Sequence, residues 1–130
     1  QYENFFSDLC GRHPGRVGTY IGFEPTLSQE IYAGADAFIM PSKSEPCGLA
    51  QMVACRYGTP PIVRETGGLR DSIHDSTMGE LYDACCHAQD RYYSKENWNN
   101  LIRYDMECDF SWDVSAKSYE GLYNETANLW

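Results

Sequence analysis

The chain has 130 residues, 42% of them hydrophobic and 22% charged, which suits one ordered domain with its own core and leaves no room for two. A formal charge of −9, from 19 acidic against 10 basic residues, argues against a nucleic-acid binder, because phosphate backbones select basic surfaces. No stretch approaches the ~20 apolar residues of a membrane-spanning helix.

Residues 2–12 place Phe5, Phe6 and Leu9 at helical spacing, and Gly11 with Pro14-Gly15 stops the pattern. Val17, Thr19 and Ile21 then alternate with Gly18, Tyr20 and Gly22, which predicts a short strand. Glu24-Pro25-Thr26 opens a second helix that carries Leu27, Ile31 and Tyr32 and ends at Gly34. Ala37-Phe38-Ile39-Met40 is a continuous apolar run closed by Pro41. Such a run predicts a parallel strand covered by helices on both faces.

A helix is expected over about 49–57, ended by Gly58, and a strand over Pro61-Ile62-Val63-Arg64. Thr66-Gly67-Gly68-Leu69 leads into a short helix. This alternation from residue 16 to 72 indicates right-handed crossovers and a Rossmann-like parallel sheet flanked by helices. Beyond it the pattern is helical over roughly 77–93, 95–107 and 112–127, with Ser111 as N-cap of the last helix. In that helix Trp112, Ala116, Tyr119 and Tyr123 form an apolar stripe, read as core or domain-interface surface. The expected class is α/β, a single domain over 1–130 with a helical C-terminal tail.

Six cysteines (Cys10, Cys47, Cys55, Cys85, Cys86 and Cys108) include no C-x-x-C pair, and Cys85 and Cys86 are adjacent. They read as reduced thiols of an intracellular protein rather than as a zinc knuckle or a disulfide framework. His13, His74 and His87 fall in loops or on a polar helix face and read as solvated. The chain opens inside a helical pattern with no signal peptide. The expectation is therefore an internal start, in a cytosolic or organellar setting.

In open parallel sheets, ligands bind at the carboxyl ends of the strands, near helix N-termini. Two glycine turns occupy such places. The first runs from Ser42 to Leu49, where Gly48 permits close backbone approach and Glu45 contributes a carboxylate able to accept sugar hydroxyls or offset developing positive charge. The second is Arg64-Glu65-Thr66-Gly67-Gly68. Two such turns in one sheet point to a ligand crevice. A nicotinamide oxidoreductase is disfavoured, because no G-x-G-x-x-G follows a strand.

The stretch Ile31-Tyr32-Ala33-Gly34-Ala35-Asp36, then Met40-Pro41-Ser42, Glu45-Pro46-Cys47-Gly48-Leu49, Arg56-Tyr57-Gly58 and Thr66-Gly67-Gly68-Leu69, resembles the C-terminal half of bacterial glycogen synthases. Starch synthases share the pattern. Asp109-Phe110-Ser111-Trp112, with Ser115, Ala116 and Tyr119, is similar to the same family's final helix. The motifs are collinear over about residues 2–123. The resemblance implies part of the C-terminal domain of a GT-B retaining glucosyltransferase, which passes glucose from ADP-glucose to the non-reducing end of an α-1,4-glucan.

Carried over by position, the resemblance makes Glu45 the catalytic-loop glutamate beside the donor glucose. Cys47 and Gly48 match backbone amides that contact glucose hydroxyls, and Leu49 and Ala50 match the phosphate-facing helix start. Thr66, Gly67 and Gly68 line the same site. Phe23 stands where an aromatic ring stacks on the nucleotide base, a sequence-tolerant contact that leaves ADP-glucose and UDP-glucose both open as donors. No metal or cofactor is implied, and no Asp-x-Asp motif is present. The compartment would be a bacterial cytoplasm or a plastid stroma.

The chain also departs from the pattern. Ala50 replaces a hydroxyl residue, Lys43-Ser44 replaces a basic–aromatic pair, and the stretch between Asp75 and Met78 looks shortened. The family's acceptor domain and its early Arg and Lys phosphate ligands are not in these 130 residues. Plainer readings stand beside each assignment: Glu45 as a helix-capping carboxylate, Cys47 as a small buried hydrophobe, Phe23 as packing, Gly67-Gly68 as a turn alone, and Cys85-Cys86 as packing. The competing class is a non-catalytic Rossmann-like module that binds a nucleotide sugar or serves a structural role.

Overall fold

The computed structural model describes residues 1–73 and 81–127; His74 and the shortened stretch between Asp75 and Met78 lie outside them. The chain divides into two compact units, 1–30 and 31–130.

In the first unit α1 spans Tyr2–Arg12, with Glu3 in its first turn and Arg12 in its last, both matched to the helix dipole. It buries no residue; Phe5 and Phe6 meet edge-on at 5.4 Å and stay half exposed. Gly15 turns the chain with φ 73°. The following segment then returns to α1, as Thr19 Oγ1 donates to the Phe6 carbonyl at 3.0 Å and Cys10 Sγ donates to the Val17 carbonyl at 3.2 Å. Residues 17–21 form no strand. Alternation alone does not make a strand; a ladder of interstrand hydrogen bonds does, and no described strand pairs with this segment. At the start of α2 (Pro25–Gly34), Glu24 supplies both halves of the cap. Its carboxylate accepts from the Thr26 N–H at 3.2 Å and its carbonyl accepts from the Ser28 N–H at 3.0 Å.

In the second unit β1 (Phe38–Met40) pairs in parallel with β2 (Pro61–Val63), with Phe38 opposite Pro61 and Met40 opposite Val63. The crossover between them is α3 (Ala50–Tyr57). Gly58 closes α3 in the left-handed region, φ 73°, with its N–H on the Cys55 carbonyl and the Thr59 N–H on the Ala54 carbonyl, both 3.0 Å. That paired closure is why a glycine ends the helix there. α4 (Gly68–Ser72), α5 (Leu81–Tyr92), α6 (Lys95–Glu107) and α7 (Trp112–Ala127) follow. Ser94 caps α6, its hydroxyl accepting from the Asn97 N–H at 3.5 Å.

Successive strand side chains point to opposite faces, and β2 uses both. Ile62 joins Ala84, Ala88, Trp98 and Leu101 from α5 and α6 on one face. Val63 joins Cys55, Leu69 and Ile73 on the other. All three β2 residues are buried. β1 differs from the expectation of full cover, because Ile39 is 52% exposed. Among the described residues it has a strand neighbour on one side, and Ile39 lies beside an open apolar cleft shared with Ile62 and Trp98. The mixed α/β class with a parallel sheet holds.

The C-terminal helix buries nothing: Trp112 is 83% and Tyr123 71% exposed. The core reading of its aromatic stripe is thereby set aside. Just before its start the carboxylate of Asp109 accepts from the Ser111 N–H at 2.8 Å, an Asx turn that leads the chain into the helix. Hydrogen bonding from the Ser111 side chain, and then from its N–H, holds the Asp109 carboxyl below its ordinary pKa.

Candidate functional site

The two glycine turns follow β1 and β2 in sequence, and because those strands are parallel neighbours the turns emerge at the same edge of the sheet. They touch. The Gly68 N–H donates to the Glu45 carbonyl at 2.8 Å. A Cβ at Gly67 would fall on the Glu45 carbonyl oxygen, and one at Gly68 on the Cys47 carbonyl oxygen. Gly67 also has φ 48°, a region that side chains other than glycine's disfavour. Both glycines are thus required by the closeness of two backbones, and the reading of Gly67-Gly68 as an isolated turn gives way to a joint of two loops.

Within the first turn the Glu45 carboxylate accepts from the Ser42 hydroxyl at 3.3 Å and is half-buried. It does not cap α3: the N-cap residue is Leu49, with no side-chain cap hydrogen bond. An apolar cap leaves the first amides of that helix without a side-chain acceptor, at an end where the helix dipole favours an anion. Cys47 is exposed, contrary to a buried packing role, and its thiol reaches the Gly48 carbonyl at 3.6 Å. Gly48 has φ 73°, and a Cβ there would meet the Gln51 amide oxygen at 2.6 Å. Leu49 is 68% exposed, and Ala50, Thr66 and Gly68 are half-buried.

Pro46, Cys47, Met52, Gly68, Ser72 and Phe110 are among the residues around an open cleft of about 490 Å³ at this joint. It continues past Met52 into a groove of about 840 Å³ bounded by Leu49, Val53, Arg56 and Met106. Arg56 ties that wall to α6 through the Met106 carbonyl at 2.8 Å. Beneath it, burial first and then the Asp105 carboxylate and Cys108 push the Cys55 thiol up to about 12. Cys108 is raised by burial and by Asp105, so both sulfurs stay protonated and unreactive near neutrality.

Of the residues singled out from sequence, Glu45, Cys47, Gly48, Leu49, Ala50, Thr66, Gly67 and Gly68 come together here. Phe23 belongs to the first unit, where its ring is 91% exposed. Three participants escaped the sequence reading: Ser42 on the Glu45 carboxylate, Gln51 and Ser72. Gln51 carried a usable signal. It sits three and four residues after Gly48 and Cys47, the offsets at which a helical side chain reaches back to backbone carbonyls.

Comparison with known proteins places this geometry among others. The family model described as glycosyl transferases group 1 matches residues 16–92. The chain is 42% identical to a glycogen synthase of Desulforudis audaxviator over 140 aligned residues, covering 95% of this chain and 28% of that protein. It is 44% identical to the glycogen synthase of Clostridium kluyveri, covering 95% and 29%. Since 140 aligned positions exceed 130 residues, the relatives carry positions this chain lacks. Among solved structures it resembles the catalytic domain of starch synthase IV from Arabidopsis thaliana bound to ADP and acarbose. That match has 34% identity and a TM-score of 0.77 and covers 96% of this chain and 30% of that one. The chain therefore spans less than a third of the length of these relatives. No helix among the described residues is long and apolar enough to cross a membrane.

Proposed function

The chain belongs to the group 1 glycosyl transferases, and on that premise we propose that it is the donor-binding part of a retaining glucan synthase. Residues 1–130 are then part of the C-terminal domain of a GT-B enzyme that moves glucose from ADP-glucose to the non-reducing end of an α-1,4-glucan. The observation that carries the reading is the joint at the sheet edge. Gly67-Gly68 press against Glu45 and Cys47 so closely that no side chain fits between, and a carboxylate, an apolar-capped helix start and a cleft converge there.

In this assignment the Glu45 carboxylate stands beside the reacting carbon, accepts from glucose hydroxyls and offsets positive charge as the bond to phosphate breaks. The bond from the anomeric carbon to the phosphate oxygen breaks as one to the acceptor's hydroxyl oxygen forms, the hydroxyl proton passes to the leaving diphosphate, and ADP departs. Cys47 and Gly48 offer backbone amides to the glucose. Leu49 and Ala50 offer the helix start to the distal phosphate; with a methyl at Ala50, that grip is made by backbone alone. Thr66, Gly67 and Gly68 form the floor, and Phe23 stacks on the base. The ADP and acarbose of the plant starch synthase support a nucleoside diphosphate and a glucan as the ligand pair.

Calorimetric titration of ADP-glucose and UDP-glucose into the wild-type chain and Glu45→Ala tests this. Binding of ADP-glucose by wild type, weakened in the variant, is expected; a folded wild-type chain that binds neither sugar nucleotide sinks the reading. The chain by itself is expected to transfer no glucose to glycogen, because one loop cannot orient two substrates without an acceptor domain. Detecting that transfer would refute the need for a second domain.

A further inference from the structure

One buried polar side chain behind the joint is not used by the donor assignment. Gln51 is fully buried in the first turn of α3. Its Nε2 lies 3.2 Å from the Cys47 carbonyl oxygen, 3.0 Å from that of Gly48 and 3.0 Å from Ser72 Oγ. The Ser72 hydroxyl in turn donates to the Gly68 carbonyl at 2.7 Å. Two carbonyl oxygens accept and never donate, so they select the nitrogen end of the amide. The other end shows what that choice costs: Gln51 Oε1 is buried with no hydrogen-bond partner among the described residues. An apolar side chain of the same size would fill this space and bury no unpaired amide oxygen, but it would strip the Cys47 and Gly48 carbonyls of their Nε2 donor. Packing alone therefore does not account for a glutamine here.

Peptide planarity carries the effect outward. In a trans peptide the carbonyl and the following N–H point in opposite directions. Holding the Cys47 and Gly48 carbonyls inward turns the N–H groups of Gly48 and Leu49 away from Gln51. Neither of those N–H groups donates to a described residue. Glycine at position 48 is what lets the glutamine come this close, since a Cβ would collide with Oε1.

We propose that Gln51 is a positioning residue of the donor site. Acting through the Cys47 and Gly48 carbonyls, it aims the Gly48 N–H at the hydroxyls of the transferred sugar and the Leu49 N–H at the distal phosphate beside it. Through Ser72 it locks that loop to the Gly67-Gly68 turn. The sugar-facing half of this inference rests on the donor reading above; the hold on the loop does not.

Two variants separate the halves. In the ligand-free chain, Gln51→Met keeps the volume and removes the amide. Backbone ¹⁵N order parameters are expected to fall over residues 45–49 toward flexible values below about 0.6, while β1, β2, α5 and α6 keep theirs. By calorimetry the same variant is expected to lose about tenfold in affinity for ADP-glucose and less than about threefold for ADP, which lacks the transferred glucose. Gln51→Glu presents oxygen to oxygen at pH 8. Relative to wild type it is expected to recover ADP-glucose affinity as pH falls and its carboxyl regains a proton to donate.

Unchanged loop order in Gln51→Met overturns the proposal. So does an equal loss of affinity for ADP and ADP-glucose, which is what a merely structural role produces. A wild-type chain that binds neither ligand sinks the donor reading instead, and the ligand-free order parameters still decide whether Gln51 holds the loop.

Discussion

Two helices of this chain invert the usual relation between length and burial. α3 has eight residues and buries Gln51, Ala54 and Cys55; α7 has sixteen and buries none. Both carry apolar residues at helical spacing. What separates them is the tertiary setting: α3 is the crossover between two parallel strands and packs on β2 and α6, whereas α7 lies past the last element that shares the core. Apolar periodicity measures which face a helix could bury; topology decides whether anything meets that face. The short buried helix begins at the candidate site, and the long exposed one reaches the same cleft through Ser115 without lining the core.

Substitutions can break or sharpen this comparison, and the largest effect is expected inside the α3 face. Leu69 is wholly buried beside Cys55 and Val63. Leu69→Ala should cost about 2–5 kcal/mol by chemical denaturation; a cost near zero would show that this face is not a packed core. Next comes the joint itself. Gly67→Ala puts a methyl onto the Glu45 carbonyl at a positive φ, for an expected loss of about 1–3 kcal/mol together with sugar-nucleotide binding. Wild-type stability and binding in that variant would mean that the two turns can part.

A third effect is read from pH. The Cys55 thiol has a folded pKa of about 12 against an ordinary 9.0, so the folded state keeps its proton where the unfolded state has lost it. Its contribution is fully present below pH 9 and is lost as pH climbs from there toward 12, at about 1.4 kcal/mol per unit. Cys55→Ala should flatten that alkaline decline in a denaturation series from pH 8 to 11; an unchanged slope assigns the decline to other groups. The smallest effect is expected on α7, where Trp112→Ala and Tyr123→Ala should each change the stability of this chain by under about 0.5 kcal/mol. A loss of several times that would place the aromatic stripe in a core after all.

Most element boundaries were legible because they are set by local chemistry. Pro25 opens α2, Gly58 closes α3 in the left-handed region, and residues 95–107 and 112–127 emerge as the helices their periodicity predicts. The strand expected over 17–21 failed where a local signal needs a distant partner. Alternation was present, and no described strand pairs with it. Ile39 failed for the same reason in reverse: an apolar run promised two covered faces, and one of them stays open. At the site, Glu45, Cys47 and Gly48 stood out through a motif and Gln51 offered only its spacing from Gly48 and Cys47, while Ser72 acquired its role through a glutamine 21 positions away.

The glycine turns mark the boundary between the two kinds of knowledge. By itself the sequence determined that two turns follow two strands, that each needs glycine, and that one carries a carboxylate, since backbone sterics and residue type are local properties. Only the tertiary structure decided that they touch. The parallel register of β1 and β2 brings both turns to the same edge, where the Gly68 N–H meets the Glu45 carbonyl and a buried glutamine binds the two loops from behind. Residues more than twenty positions apart meet there because hydrogen bonding across the sheet, which no short window of sequence contains, sets their distance.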